Sequence, residues 1–269
     1  ISEMRTRVRN ALKLFENLIE NSVETTEEHE DVTVILTCYR RPHLLNEQIQ
    51  SLKNQTVPPK DIWVWINDAD ENRNYEFDLD SDIKIFRCNH NWKFFGRFAS
   101  AMLADTEYVA IYDDDTMPGR KWHENCLKTM KTQAGILGGV GCLLPGEHYH
   151  GHRRVGWSAP NNEIEEVDLV GHAWFFKRDW LQYFWSEKPH TWENGEDIHF
   201  SYTAKKYGGI RTYVPPHPEG EHEMFSSVKG MEYGVDDVAT SASRNHKIFY
   251  KQRDECVKHA ILNGWKLVK

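Results

Sequence analysis

The chain has 269 residues, 39% hydrophobic and 12% aromatic, with a formal net charge of -8. That apolar content fills a core of domain size and excludes a chain disordered by composition. The acidic balance excludes nucleic acid as a general partner, and no apolar run reaches the length of a transmembrane segment.

In chain order, Val8, Leu12, Phe15 and Ile19 recur at helical spacing and predict a helix over residues 4–20, followed by a polar linker to residue 30. Val32-Thr33-Val34-Ile35-Leu36-Thr37 is a continuous β-branched run, the pattern of a strand buried on both faces. A helix follows near 43–53, then a break at Val57-Pro58-Pro59 and strands at Ile62–Ile66 and Ile83–Phe86. A helix near 97–105 leads into the apolar strand Tyr108–Tyr112.

Alternating strands and helices predict an α/β fold, a mostly parallel sheet with helices on both faces. Such sheets bind ligands at the carboxyl ends of their strands. The second half is less regular. It has a glycine cluster at 135–141, a polar stretch at 145–166, a strand over Asp168–Lys177 and a helix over Glu196–Tyr207. A loop at 215–241 and a last helix near 243–263 complete it.

The five cysteines are scattered, with no C-x-x-C, so neither a zinc site nor a disulfide framework is expected. Free thiols without an anchor make the cytoplasm the default location, with peripheral membrane association left open.

Asp113-Asp114-Asp115 ends the strand Tyr108–Tyr112. Carboxylates on a strand end cannot be buried unpaired, so they face solvent, a metal or a cationic ligand. Asp113 and Asp115 can share one hard cation, which prefers oxygen donors. A solvated acidic turn is the competing reading of the triplet alone.

Residues 32–68, with Ser51-Leu52-Lys53-Asn54-Gln55-Thr56 and a strand ending at Asn67-Asp68, resemble the opening of GT-A nucleotide-sugar glycosyltransferases, especially family 2. Asp113-x-Asp115 and Glu193-Asn194-Gly195-Glu196-Asp197 follow in the order of that family's D-x-D and G-E-D segments, and the likeness runs over residues 31–214. The D-D-D-T form and the segment before it also resemble exostosin-type transferases, which retain the sugar's configuration where family 2 inverts it.

The resemblance implies a single GT-A domain over 31–269, with a nucleotide-binding half (31–118) and an acceptor-binding half (119–269) preceded by the helix and linker of 1–30. It implies Mn²⁺ or Mg²⁺, a UDP-sugar donor and a glycan or glycoconjugate acceptor. Thr37, Tyr39, Arg41, Asp68, Arg97, Asp113 and Asp114 are its expected donor contacts. Asp115, Asp113 and His217 are the expected metal ligands.

Asp197, flanked by Glu196, is the expected general base, against the plainer reading that both cap a helix. Trp174 and Trp192 are candidates for the acceptor, against an ordinary role in the core. A non-catalytic carbohydrate-binding domain is the alternative outside enzymes. A neighbouring domain or a homo-oligomer is left open.

Overall fold

The computed structural model describes residues 30–234 and 242–268. The helix expected over residues 4–20 lies outside them. Asp31–Lys269 forms one compact unit.

The buried run Val32–Cys38 is β1, an inner strand of an eight-stranded sheet. After α1 (Leu45–Lys53), β2 (Asp61–Ile66) pairs parallel to β1 in register Cys38↔Ile66. A short α2 (Asp70–Arg73) and β3 (Lys84–Arg87) extend that edge, also in parallel. The chain then crosses through α3 (Gly96–Ala101) to β4 (Tyr108–Tyr112), parallel to β1 on its other side. The carboxyl ends of β1, β2 and β4 therefore lie side by side, and Asp113 to Asp115 emerge there.

Beyond β4 the sheet is mixed. Following α4 (Trp122–Thr132) come β5 (Ile136–Leu137), β6 (Val140–Leu143), β7 (Arg153–Gly156), β8 (Glu165–Val167), β9 (Leu169–Gly171) and β10 (Trp174–Lys177). A short α5 (Leu181–Phe184), α6 (Glu196–Gly208) and β11 (Thr212–Val214) follow. The main sheet runs β3-β2-β1-β4-β10-β5-β11-β8, with β10 antiparallel to both β4 and β5, while β7-β6-β9 form a separate antiparallel sheet.

The single strand predicted over Asp168–Lys177 is thus two strands in two sheets. His172 breaks it, with φ +63°. A non-glycine residue in the left-handed region carries a strain of roughly 1 kcal/mol. The predicted loop over 215–241 contains the short α7 (Gly230–Tyr233), and α8 (Ala242–Leu262) ends the fold close to its predicted bounds.

Alternate residues of the central strands feed two cores. Val34, Leu36 and Val64 pack with α1 and α4 on one face. Ile35, Trp63 and Ile111 pack with α3, α5 and α6 on the other. A third cluster joins Ile198 and Tyr202 of α6 to Cys256, Val257 and Ala260 of α8. No helix among the described residues is long and apolar enough to cross a membrane.

Candidate active site

Three short segments deliver the carboxylates and His172: the turn after β4, the β9–β10 link and the start of α6. The turn after β4 is fixed from beneath. Gln48 of α1 is buried, and its Nε2 donates to the carbonyls of Asp113 (2.7 Å) and Thr116 (2.9 Å). A buried amide with both hydrogens satisfied is a rigid prop.

Above it the three aspartates diverge. Asp114 turns toward the loop after β1, where it accepts from Arg41 Nη1 at 2.5 Å and from the Tyr39 backbone N–H at 3.2 Å. Arg41 Nη1 is also 3.5 Å from Asp115. Burial and the two neighbouring carboxylates push Asp114 up to about 7 despite Arg41. The loop residues Tyr39 and Arg41 therefore tie the end of β1 to the end of β4, with Arg41 itself buried.

Asp113 and Asp115 instead face His172. One donor atom of each of the three lies within 4.8 Å of the others, a group able to hold one cation. His172 Nδ1 is 3.4 Å from Asp113 Oδ2. The strained backbone at His172 is what aims the ring there, since an extended residue would continue the strand. Burial and repulsion from Asp113 raise Asp115 above the usual carboxylate range.

Arg97 lies under this group, 2% exposed. Its Nη1 donates to Asp113 and, at 3.1 Å, to Thr37 Oγ1, and its Nη2 donates to Glu196 at 3.2 Å. The guanidinium sits 4.6 Å from the Trp174 ring centroid. Four elements thus meet on one side chain of α3: β1, β4, β10 and α6. Although Asp113 is desolvated, Arg97, His172 and Arg41 hold its carboxyl below the ordinary carboxylate range. Burial and the adjacent Asp197 push Glu196 up to about 7.

Asp197 points the other way. Arg253 of α8 donates to its Oδ2 at 2.5 Å, and the Ile198 N–H caps its Oδ1 at 2.8 Å. Arg253 also donates to Asn194 Oδ1 at 3.1 Å and lies 4.0 Å from the Tyr149 ring centroid. A Cβ on Gly171 would stand 3.7 Å from Asp197 Oδ2, so this carboxylate borders the link that carries His172. With every acid ionised, Asp113, Asp114, Asp115, Glu196 and Asp197 against Arg41, Arg97 and Arg253 leave two negative charges in excess. A divalent cation would balance them, and two carboxylates with an imidazole suit Mn²⁺ better than the all-oxygen set Mg²⁺ prefers.

The structure places several expected residues in other roles. His217 does not join the metal group. It is fully buried, with Nδ1 2.8 Å from the Pro215 carbonyl and Nε2 3.0 Å from Ser226 Oγ. Trp174 offers no surface to an acceptor: it is 2% exposed, and its indole N–H donates to the Val170 carbonyl at 3.1 Å. Arg97 bonds Thr37 and the carboxylates of Asp113 and Glu196 rather than opening toward a diphosphate.

Asp68 has both oxygens on Arg73, at 2.7 and 2.5 Å. Trp192 remains half exposed, its ring edge-on to Phe95. His172, Gln48 and Arg253 were missed by sequence reasoning. No spacing rule links them to the aspartates, and only the break between β9 and β10 could have drawn attention to His172.

The model of glycosyl transferase family 2 matches residues 33–185, more than half of the chain. No curated protein matches the chain. Among solved structures, the first 349 residues of TarS from S. aureus are 18% identical with a TM-score of 0.48, over 69% of this chain and 58% of that one. The same fragment in complex with UDP-GlcNAc is 20% identical with a TM-score of 0.45, over 72% and 60%. The mannosyltransferase PcManGT from Pyrobaculum calidifontis, in complex with GDP-Man and Mn²⁺, is 18% identical with a TM-score of 0.44, over 71% and 58%. The aligned region spans little more than half of each of these chains.

Proposed function

The chain belongs to glycosyltransferase family 2, and from that membership we propose that it moves a sugar from a UDP-sugar to a hydroxyl of a glycan or glycoconjugate, with Mn²⁺ or Mg²⁺ on Asp113, Asp115 and His172 and with inversion at the anomeric carbon. The observation that carries this reading is the convergence of those three side chains beside the Glu196-Asp197 pair. When bound, the cation would neutralise the departing diphosphate.

The chain's own residues do the rest. Arg41 and Tyr39 hold Asp114 and so fix the floor on which a nucleotide would lie. Arg97 holds Asp113 and Glu196 at set positions. Asp197 is the proposed base. Each of its carboxylate oxygens, with one hydrogen bond made, keeps a further lone pair for the acceptor's proton. Trp192, half exposed, is the proposed acceptor contact.

The Arg253–Asp197 pair also favours a second reading. A carboxylate pinned by a guanidinium can orient the acceptor and stabilise positive charge in a retaining transfer. The anomeric configuration of the product separates the two.

The test is release of free nucleotide from UDP-, GDP- and CMP-sugars, with Mn²⁺ and with chelator. Metal-dependent release from a UDP-sugar is the expected result. No release from any donor, with no nucleotide-dependent protection against heat, would overturn the reading.

A further inference from the structure

Two loops lead into the residues just described, and each carries an exposed tryptophan. Trp92 stands five residues before Arg97 and Trp192 four residues before Glu196. They are 55% and 45% exposed, in a chain whose Trp122, Trp63, Trp174 and Trp265 are buried. About half of each indole stays in water, so two such rings on one rim offer apolar surface suited to a partner.

Neither loop is loose. Buried Asn67, at the end of β2, accepts from the Trp92 N–H at 3.2 Å and from Trp65 Nε1 at 3.1 Å, and it donates to the Lys93 carbonyl at 3.1 Å. Lys93 itself has φ +53°. A Cβ on Gly96 would come within 2.9 Å of the Trp92 Cβ, so α3 presses directly on the loop. The second loop is held to the first. Trp192 packs edge-on to Phe95, with centroids 5.0 Å apart, and Glu193 pairs with Lys93 at 3.3 Å. His90 packs edge-on to Trp92 at 4.9 Å.

We propose that Trp92 and Trp192 form a saccharide-binding platform on the rim of the active site, taking acceptor sugar units beyond the one that reacts. The chemistry fits a sugar better than an apolar peptide. Pyranose rings present C–H faces to indoles and hydroxyls at their edges, and here a Lys–Glu pair sits between the two aromatic loops to meet those hydroxyls. The placement fits an acceptor because each loop ends in a residue of the catalytic cluster. That the ligand is an acceptor rests on the transferase reading. That it is a saccharide rests on the rim.

The probe is a panel of soluble hexasaccharides built from glucose, N-acetylglucosamine, mannose and N-acetyllactosamine, with UDP plus Mn²⁺ as control. The readout is protection of Trp92 and Trp192 from N-bromosuccinimide oxidation, followed by peptide mass spectrometry. At least one hexasaccharide is expected to protect both rings with one half-saturating concentration. W92A should weaken protection of Trp192 by tenfold or more, with W92F intermediate.

Because each ring keeps part of its surface against His90 or Phe95, W92A and W192A should lower the melting temperature by only a few degrees and stay folded at the assay temperature. Protection by no saccharide, or by UDP alone as a nucleobase stack would give, overturns the platform. Donor hydrolysis on the same samples separates the two readings. Hydrolysis without saccharide protection removes only the platform. Protection without hydrolysis keeps the platform as a carbohydrate-binding surface and removes the transferase.

Discussion

Arg253 of the C-terminal helix donates to Asp197, the second residue of α6, although 56 positions separate them. The pair is buried, with side chains 6% and 10% exposed. Around it Asn194 takes a second Arg253 proton and Tyr149 covers the guanidinium. Truncating one partner of such a pair leaves an uncompensated buried charge, at a cost of about 3–5 kcal/mol. R253M is therefore expected to lower stability by that amount in urea unfolding. R253M combined with D197N should lose much less than the sum of the two single changes. Additive losses would show that the two side chains do not depend on each other.

The roles of the adjacent acids separate kinetically. A positioned base contributes roughly 10²–10⁴-fold. D197N should reduce kcat for transfer within that range while leaving nucleotide affinity in place. E196Q acts through Arg97 and so on Asp113. It should weaken metal-dependent nucleotide binding as well as turnover. Equal effects of both variants on binding would remove Asp197 from the role of base.

His172 gives the sharpest test of the metal group. H172G takes away the one nitrogen beside two carboxylates and relieves the left-handed backbone strain, which any residue with a Cβ would keep. The expected outcome is unchanged or slightly raised thermal stability with Mn²⁺ affinity reduced about 10–100-fold, read by Mn²⁺ titration in the presence of UDP. D115A should abolish that binding. H217A should leave the affinity intact, since both ring nitrogens of His217 are occupied within the protein.

Much of this arrangement was legible in the sequence because it depends on short-range pattern. The β-branched run of β1 could only be a strand covered on both faces, and Tyr108–Tyr112 followed by three aspartates could only place carboxylates on a strand end. What stayed hidden depends on contacts between distant segments. Trp174 and Trp192 each stand two residues after a histidine, yet one lies against Arg97 and the other is half exposed. Arg97 reads in the sequence as a donor contact, and only the packing of α3 against α6 turns it inward. His217 sits among Pro, Gly and Glu, a composition that reads as open loop. Its return against Trp122 and Phe225 is what buries it.

That burial has a consequence for acid stability. His217 and His123 are both fully buried, and desolvation lowers each to about 4. In the unfolded chain they titrate near 6.5, so between pH 6.5 and 4 the unfolded state binds the extra protons and stability falls as pH falls. A shift of that size corresponds to roughly 3 kcal/mol per histidine once pH is below 4. Glu196 and Asp114, raised to about 7, work in the opposite sense, because their native forms hold protons that the unfolded chain releases between about pH 4 and 7. These two sets offset each other, so the histidine contribution is read as a difference between variants. Urea unfolding of H217Q against the native sequence at pH 7 and pH 4.5 should find the variant's deficit smaller at pH 4.5 by about 2 kcal/mol. A deficit independent of pH would mean that His217 titrates equally in both states.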